Sequence, residues 1–238
     1  MDVRILAEGL SLLSLHYVKP IKLVIIRTVA ARRPVPRRPY SSGKRLEISS
    51  RKRAAILAAA RAQLESNGFL NLTLDALARA GGVTRQTVYN LFGTKAGLLE
   101  ALFDQVALGG GMQRMRQVMQ QSDAETLLED FVEVFTNFWS RERLFVRRIH
   151  GLAAIDPEFG AAVEARNRRR LAAAGRVVER WSATHGEQDV AGRTRRIAVL
   201  CALTSFEFFD VLAENLGSPR QAALQVLILV KREFASQP

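Results

Sequence analysis

The chain has 238 residues, 48% of them hydrophobic, enough to bury the core of one large domain or of a small and a medium one. Its formal charge of +12 is uneven: residues 1–53 hold thirteen Lys/Arg and three Asp/Glu against 22 and 20 in the rest, so a basic N-terminal quarter precedes a nearly balanced body and a polyanion is a fitting partner. A single cysteine, Cys201, excludes an intramolecular disulfide framework, and the scarcity of proline after Pro39 with long Ala/Leu-rich windows makes the expected fold class all-α.

Along the first fifty residues no clean helical period appears. Ile5–Val18 is apolar but interrupted by Glu8 and His16, and Ile21–Ile26 falls well short of the ~20 apolar residues that span a bilayer. No membrane helix is therefore predicted. A signal peptide fits poorly, because Asp2 sits in its first residues and no small-residue cleavage site follows; the Arg-rich Val24–Arg45 has only a weak likeness to a transit peptide. Arg32–Arg45 carries three prolines and two adjacent serines, which read as an extended linker. Residues 1–48 are accordingly expected to be a basic, disordered extension able to reach phosphates or a minor groove. The abrupt change of composition before Arg51 also raises the hypothesis that residues 1 to about 45 are absent from the mature protein because the start codon lies further downstream. N-terminal sequencing of the native protein tests it, and a native chain beginning at Met1 contradicts it.

A second domain is expected over residues 49–108. Its first helix is predicted to start at Ser49 or Ser50 as N-cap, with Ile56, Leu57, Ala60 and Leu64 in one buried stripe. Arg51, Lys52 and Arg53 then fall in the first turn, where the helix dipole disfavours cations and an external phosphate would help. Asn67-Gly68 ends this helix, and Phe69 and Leu72 pack beneath it. Thr73 caps a helix over Leu74–Ala80, Gly81-Gly82 makes a sharp turn, Val83 plugs the gap, and Thr84 caps a further helix to about Phe92. Val88 and Phe92 point inward, four residues apart. The opposite face carries Arg85, Gln86, Thr87 and Asn90, side chains that hydrogen-bond base edges in a DNA major groove. Tyr89 flanks the core face with its hydroxyl in reach of a phosphate, and Lys95, at the start of a fourth helix capped by Thr94, is a cation against the dipole for which a phosphate partner makes sense.

Arg53–Val106 resembles the DNA-binding domain of the tetracycline-repressor (TetR/AcrR) family of bacterial regulators. The likeness rests on AAILAAARAQLESNGF and LTLDALARAGGVTRQTVYNLFGTKAGLLEAL, with the pattern V-[ST]-x-x-T-[LV]-Y-x-x-F-x-[ST]-K running from Val83 to Lys95. It implies a phosphate contact at Thr73, a groove-facing Thr84, Arg85, Gln86, Thr87 and Asn90, and a hold on the DNA backbone by Tyr89 and Lys95. Leu91 stands where many members have His, which puts a backbone contact there in doubt.

The remainder, 109–238, is expected to be a helical regulatory and dimerisation domain. Gly109-Gly110-Gly111 breaks the fourth helix; Met112–Gln121 is a weak helix; Ala124–Ser140 and Arg141–Ile155 follow as two helices. Asp156-Pro157 starts another to about His185, Val190–Leu216 is one long helix, and Pro219 opens the last, to about Phe234. The resemblance implies that the last two long helices pair with those of a second subunit; periodicity alone shows only two broad apolar faces. Phe131, Phe135, Phe138, Trp139, Phe145, Phe206 and Phe209 could line an apolar ligand cavity with His150 as its polar handle, although any single one of them fits an ordinary core better. Cys201, among apolar neighbours, reads as buried and inert.

No P-loop, dinucleotide fingerprint, zinc-protease helix or nucleophile elbow is present, and three dispersed histidines make a poor metal site, so neither enzymatic activity nor a cofactor is expected. The expected function is transcriptional regulation: a bacterial, cytoplasmic, nucleoid-associated repressor that binds palindromic double-stranded DNA as a homodimer and is released by a small-molecule effector. The alternative is a ligand-independent, weakly specific DNA-binding protein driven by its basic arm. Salt response separates the two, since arm-driven binding has a steep salt slope and little sequence preference.

Overall fold

Helix α1 (Ser42–Glu65) begins about two turns before either serine expected to cap it, so Ser49 and Ser50 are interior residues. The pair between Arg51 and Glu47, one turn apart at 2.6 Å, helps carry the helix through this stretch. Arg51, Lys52 and Arg53 therefore lie mid-helix and the dipole argument for an anion there fails. Arg53 instead lies over the Phe92 ring (4.7 Å) and donates to the Leu91 carbonyl at 3.2 Å. The computed structural model describes residues 42–66, 73–186 and 189–235. The expectations for residues 1–41, and those for Asn67, Gly68, Phe69 and Leu72, lie outside them.

Ten α-helices and one 3-10 turn make up the described residues, with no strand among them. After α1 come α2 (Leu74–Ala80), α3 (Arg85–Phe92) and α4 (Lys95–Gly109). A 3-10 turn (Met112–Arg114) and the short α5 (Met115–Val118) lead into α6 (Ala124–Ala153) and α7 (Pro157–His185). The chain closes with α8 (Val190–Leu203), α9 (Phe206–Asn215) and α10 (Pro219–Ala235).

The two helices predicted over 124–155 are the two segments of α6, which meet at a kink at Glu142, whose φ of −107° and ψ of 17° leave the helical region. One expected boundary moves: the single helix predicted over Val190–Leu216 is two. Thr204 turns its hydroxyl back to the Leu200 carbonyl (2.6 Å), and Ser205 caps α9 by accepting from the Phe208 amide (3.2 Å).

Two apolar clusters hold the helices. The first joins Ile56, Leu64, Leu77, Val88, Leu98 and Leu102 of α1–α4 to Phe145, Ile149 and Leu152 of α6 and to Phe159 of α7. The core under the helix-turn-helix thus continues across residue 108 into the C-terminal helices. The second cluster packs Leu127, Phe131 and Phe135 of α6 with Val177 and Trp181 of α7, Leu200 of α8, Phe209 of α9 and Val226 and Val230 of α10. No described helix is long and apolar enough to cross a membrane.

Candidate functional site

Local sequence sets the geometry of α2 and α3. Thr73 accepts from the Ala76 amide (3.1 Å) and Thr84 from the Thr87 amide (3.2 Å), caps that contribute about 1 kcal/mol each. Between the helices Gly82 adopts φ +63°, a conformation costly for residues with a Cβ. At Gly81 a Cβ would stand 3.0 Å from the Ile56 side chain, so the turn closes directly onto α1. Leu77, Ala78 and Val88 are buried beneath, which fixes the roll of α3 about its axis.

That roll exposes Arg85, Gln86, Tyr89 and Asn90 together. Gln86 donates to Asn90 Oδ1 at 2.8 Å, which orients both amides along one helix face. Arg85 reaches back only loosely to Asp75, at 3.4 Å on an exposed surface, an interaction weak enough to exchange for a base or phosphate. Thr87 is half-buried and its hydroxyl pairs with that of Thr84 at 2.9 Å, so it sits at the margin of the face rather than on it. Tyr89, expected to lean on the core, is 58% exposed instead, because Val88 alone fills the inward position of that turn. Leu91 packs against the first apolar cluster.

Lys95 has partners within the subunit. Its ammonium lies 2.5 Å from Asp156 and 3.2 Å from Glu158, tying the start of α4 to the start of α7. The Lys95 hydrogen bond holds the Asp156 carboxyl below its usual range. The cation that the helix dipole disfavours is thus neutralised by two carboxylates. Lys95→Ala is expected to lower the melting temperature by a few degrees, the scale of ~1 kcal/mol, and to leave the salt slope of DNA binding unchanged. A fall of ~1 in that slope would restore the phosphate contact.

Behind the helix-turn-helix lies a cavity of about 360 Å³ walled by α4, α6 and α7. Of the residues expected there, Phe135, Phe138, Trp139, Phe145 and His150 line it. Phe131 and Phe209 do not, being fully buried in the second cluster, and neither does Phe206, which packs behind the wall against Trp139 (5.6 Å) and His150 (5.0 Å). His150 is held by Glu207 at 2.8 Å, and this contact keeps the Glu207 carboxyl well below its usual range. Sequence reasoning missed Phe103, Met112, Arg166, Asn167 and Arg170 of the lining. No periodicity distinguishes a polar helix side facing solvent from one facing a cavity. Cys201 is half-buried, and burial pushes its thiol up, away from the reactive thiolate.

Two ion-pair clusters tie α6 to its neighbours. Glu142, at the bend and buried, receives Arg61 of α1 at 2.6 Å. Arg143, directly after it, and Arg147, one turn beyond Arg143, both bind Asp210 (2.6 and 2.8 Å) and Glu214 (2.8 and 2.9 Å) of α9. A single helix thus walls the cavity, grips the first helix of the DNA-reading unit and grips α9.

A capped helix-turn-helix presenting a polar recognition face, fused through a shared core to a helical domain with an internal cavity, defines a DNA-binding transcriptional regulator. Residues 56–102 match the family model described as bacterial regulatory proteins, tetR family. The chain is 30% identical over 178 residues to the HTH-type transcriptional regulator AlkX of Mycobacterium tuberculosis, an alignment covering 71% of this chain and 79% of that protein. Among solved structures it is similar to NalD, the secondary repressor of the MexAB-OprM multidrug efflux pump in Pseudomonas aeruginosa (25% identity, TM-score 0.58, 79% of this chain and 97% of that one). It also shares its fold with a TetR transcription regulator from Haloarcula marismortui (15% identity, TM-score 0.60, 77% and 96%). The protein belongs to the TetR family of transcriptional regulators.

Proposed function

We propose that the protein is a repressor that binds palindromic operator DNA as a homodimer and is released when a small molecule occupies the cavity between α4, α6 and α7. The observation that carries this reading is the double engagement of α6, whose aromatic residues wall the cavity while Glu142, at its bend, holds Arg61 of α1. A molecule that fits the cavity better in one bend of α6 than in another shifts α1, and with it α3, relative to the rest of the subunit. The shift in operator affinity equals the ligand's differential affinity for the two conformers, typically 1–3 kcal/mol. The recognition set is Arg85, Gln86 and Asn90, with Thr73, Thr84 and Tyr89 as contacts to the DNA backbone and Thr87 at the edge. NalD is itself a repressor, which favours that sign of regulation.

Dimerisation has its support in α9 and α10. Inward positions Phe209, Ala213, Val226 and Val230 are buried within the subunit, yet Val211 and Leu224 are 60% and 59% exposed, with Phe208, Leu212 and Ile228 half-buried around them. A helix pair that is apolar on both sides calls for a second covering surface. The two recognition helices of such a dimer would meet half-sites on one face of the duplex. The experiment is analytical ultracentrifugation of the full chain and of a Val211→Glu/Leu224→Glu double variant. A wild-type dimer and a folded monomeric variant that binds a palindromic site at least tenfold more weakly are expected. A variant that remains dimeric would remove α9 and α10 from the interface.

A further inference from the structure

The charged groups of the cavity are mostly cationic. Arg166, Arg169, Arg170 and Arg176 line it against a single aspartate, Asp104. Arg166 is neutralised, with Glu100 at 3.0 Å and its guanidinium over the Phe103 ring at 4.1 Å. Arg169 and Arg176 are exposed at the rim. Arg170 differs from all three. It is half-buried, and its guanidinium donates to the Cys201 carbonyl, to the Thr204 hydroxyl (3.5 Å) and to the Asn167 amide oxygen (3.4 Å).

All three acceptors are neutral. Glu207 is the carboxylate whose charge acts on Arg170, and it is engaged by His150. Desolvation is the largest influence on the guanidinium and lowers its pKa. A cation is thus kept part-way out of water at the edge of an aromatic cavity with donor capacity left over, since five N–H groups serve three acceptors. Burying an arginine in this state is unfavourable until an anion completes it.

We infer that the cavity takes an apolar, aromatic-sized molecule bearing one acidic group, its acid bound by Arg170 and Asn167 and its apolar body lying among Phe138, Trp139 and Phe145. This deepens the effector-site reading above and rests on it. Neutral ligands of the same shape leave Arg170 with only the shared charge of Glu207 and bind less well. Cations are repelled by the surrounding arginines.

A matched pair of probes tests this: 8-anilinonaphthalene-1-sulfonate and N-phenyl-1-naphthylamine, which share a skeleton and differ by the sulfonate. Both are titrated into the full chain by fluorescence. The sulfonate is expected to bind roughly tenfold more tightly than the neutral probe, the scale of one charge-assisted hydrogen-bonded contact. In Arg170→Gln the two should come within about twofold of each other while the neutral probe's affinity is unchanged, and Arg170→Lys should restore most of the preference. Val163→Trp, which fills the cavity from α7, should abolish both. Equal affinity in the wild type, a preference that survives Arg170→Gln, or sulfonate binding that survives Val163→Trp overturns the inference. A parallel loss of both probes in Arg170→Gln also overturns it, since Arg170 would then only support the wall. Failure of both probes to bind the wild type counts instead against the cavity as an effector site.

Discussion

A chain carrying alanine at Arg85, Gln86 and Asn90 together is expected to lose its preference for its own operator by at least ~10³-fold while retaining weak binding to any duplex. Each side chain that reads a base edge contributes ~1–3 kcal/mol of discrimination. Gln86 and Asn90 are hydrogen-bonded to each other at 2.8 Å, so their single effects will not add, and the triple variant is the clean comparison. All three side chains are exposed on α3 and alanine favours helix, so stability should hold within ~0.5 kcal/mol. Fluorescence anisotropy on operator and scrambled duplexes gives the ratio directly. A triple variant that still prefers its operator would move recognition off this face.

The second large effect concerns the clasp between the first helix and the bend. Arg61→Ala should destabilise the protein by about 2–3 kcal/mol, and Glu142→Ala by only ~1 kcal/mol, as read from urea unfolding. The asymmetry follows from burial. The Glu142 side chain is 8% exposed, so removing its partner strands a carboxylate away from water, whereas Arg61 is 36% exposed and keeps Glu65 at 2.8 Å. Arg61 also lies over the Phe145 ring at 5.6 Å, and only the first variant removes that cation–π interaction. Replacing both residues by leucine should recover most of the stability, because an apolar pair in a low-dielectric site needs no compensation. Equal costs for the two alanine variants would mean that the pair is solvated in solution and too loose to transmit the bend.

Much of the reading unit was legible because its signals are local. A threonine before an apolar run, two glycines between helices and an inward Val88 each constrain only a few residues, and the caps at Thr73, Thr84 and Asp156 fall where the sequence puts them. Local signals also misled. Ser49 and Ser50 are good caps in isolation, but nothing in residues 42–48 stops a helix, and α1 runs through them. The break at Thr204-Ser205 was hidden because the apolar period continues from Leu200 to Phe208 on either side of it. The cavity was half legible: aromatic content announced an apolar space, but nothing in the sequence separates Phe131, sealed in the core, from Phe135, one turn on and facing the cavity. The clasp joins residues 61 and 142, and no pattern within either helix points to the other.

The mechanistic consequence is that charge steers less than the composition suggests. Excess cations concentrate in residues 1–53, whereas the recognition face holds one arginine among amides, hydroxyls and a tyrosine. Specificity in the proposed function comes from hydrogen bonds to base edges presented by a rigid, capped helix.

The central claim, sequence-specific recognition by a two-fold assembly, is tested most directly by selecting binding sites for the purified full chain from a random-sequence duplex pool and sequencing the survivors. The account predicts one enriched inverted repeat whose half-site centres lie about one helical turn apart, or a multiple of it. Enrichment of no motif, with binding that falls steeply with salt on every duplex alike, would contradict it and leave the basic arm as the source of DNA affinity.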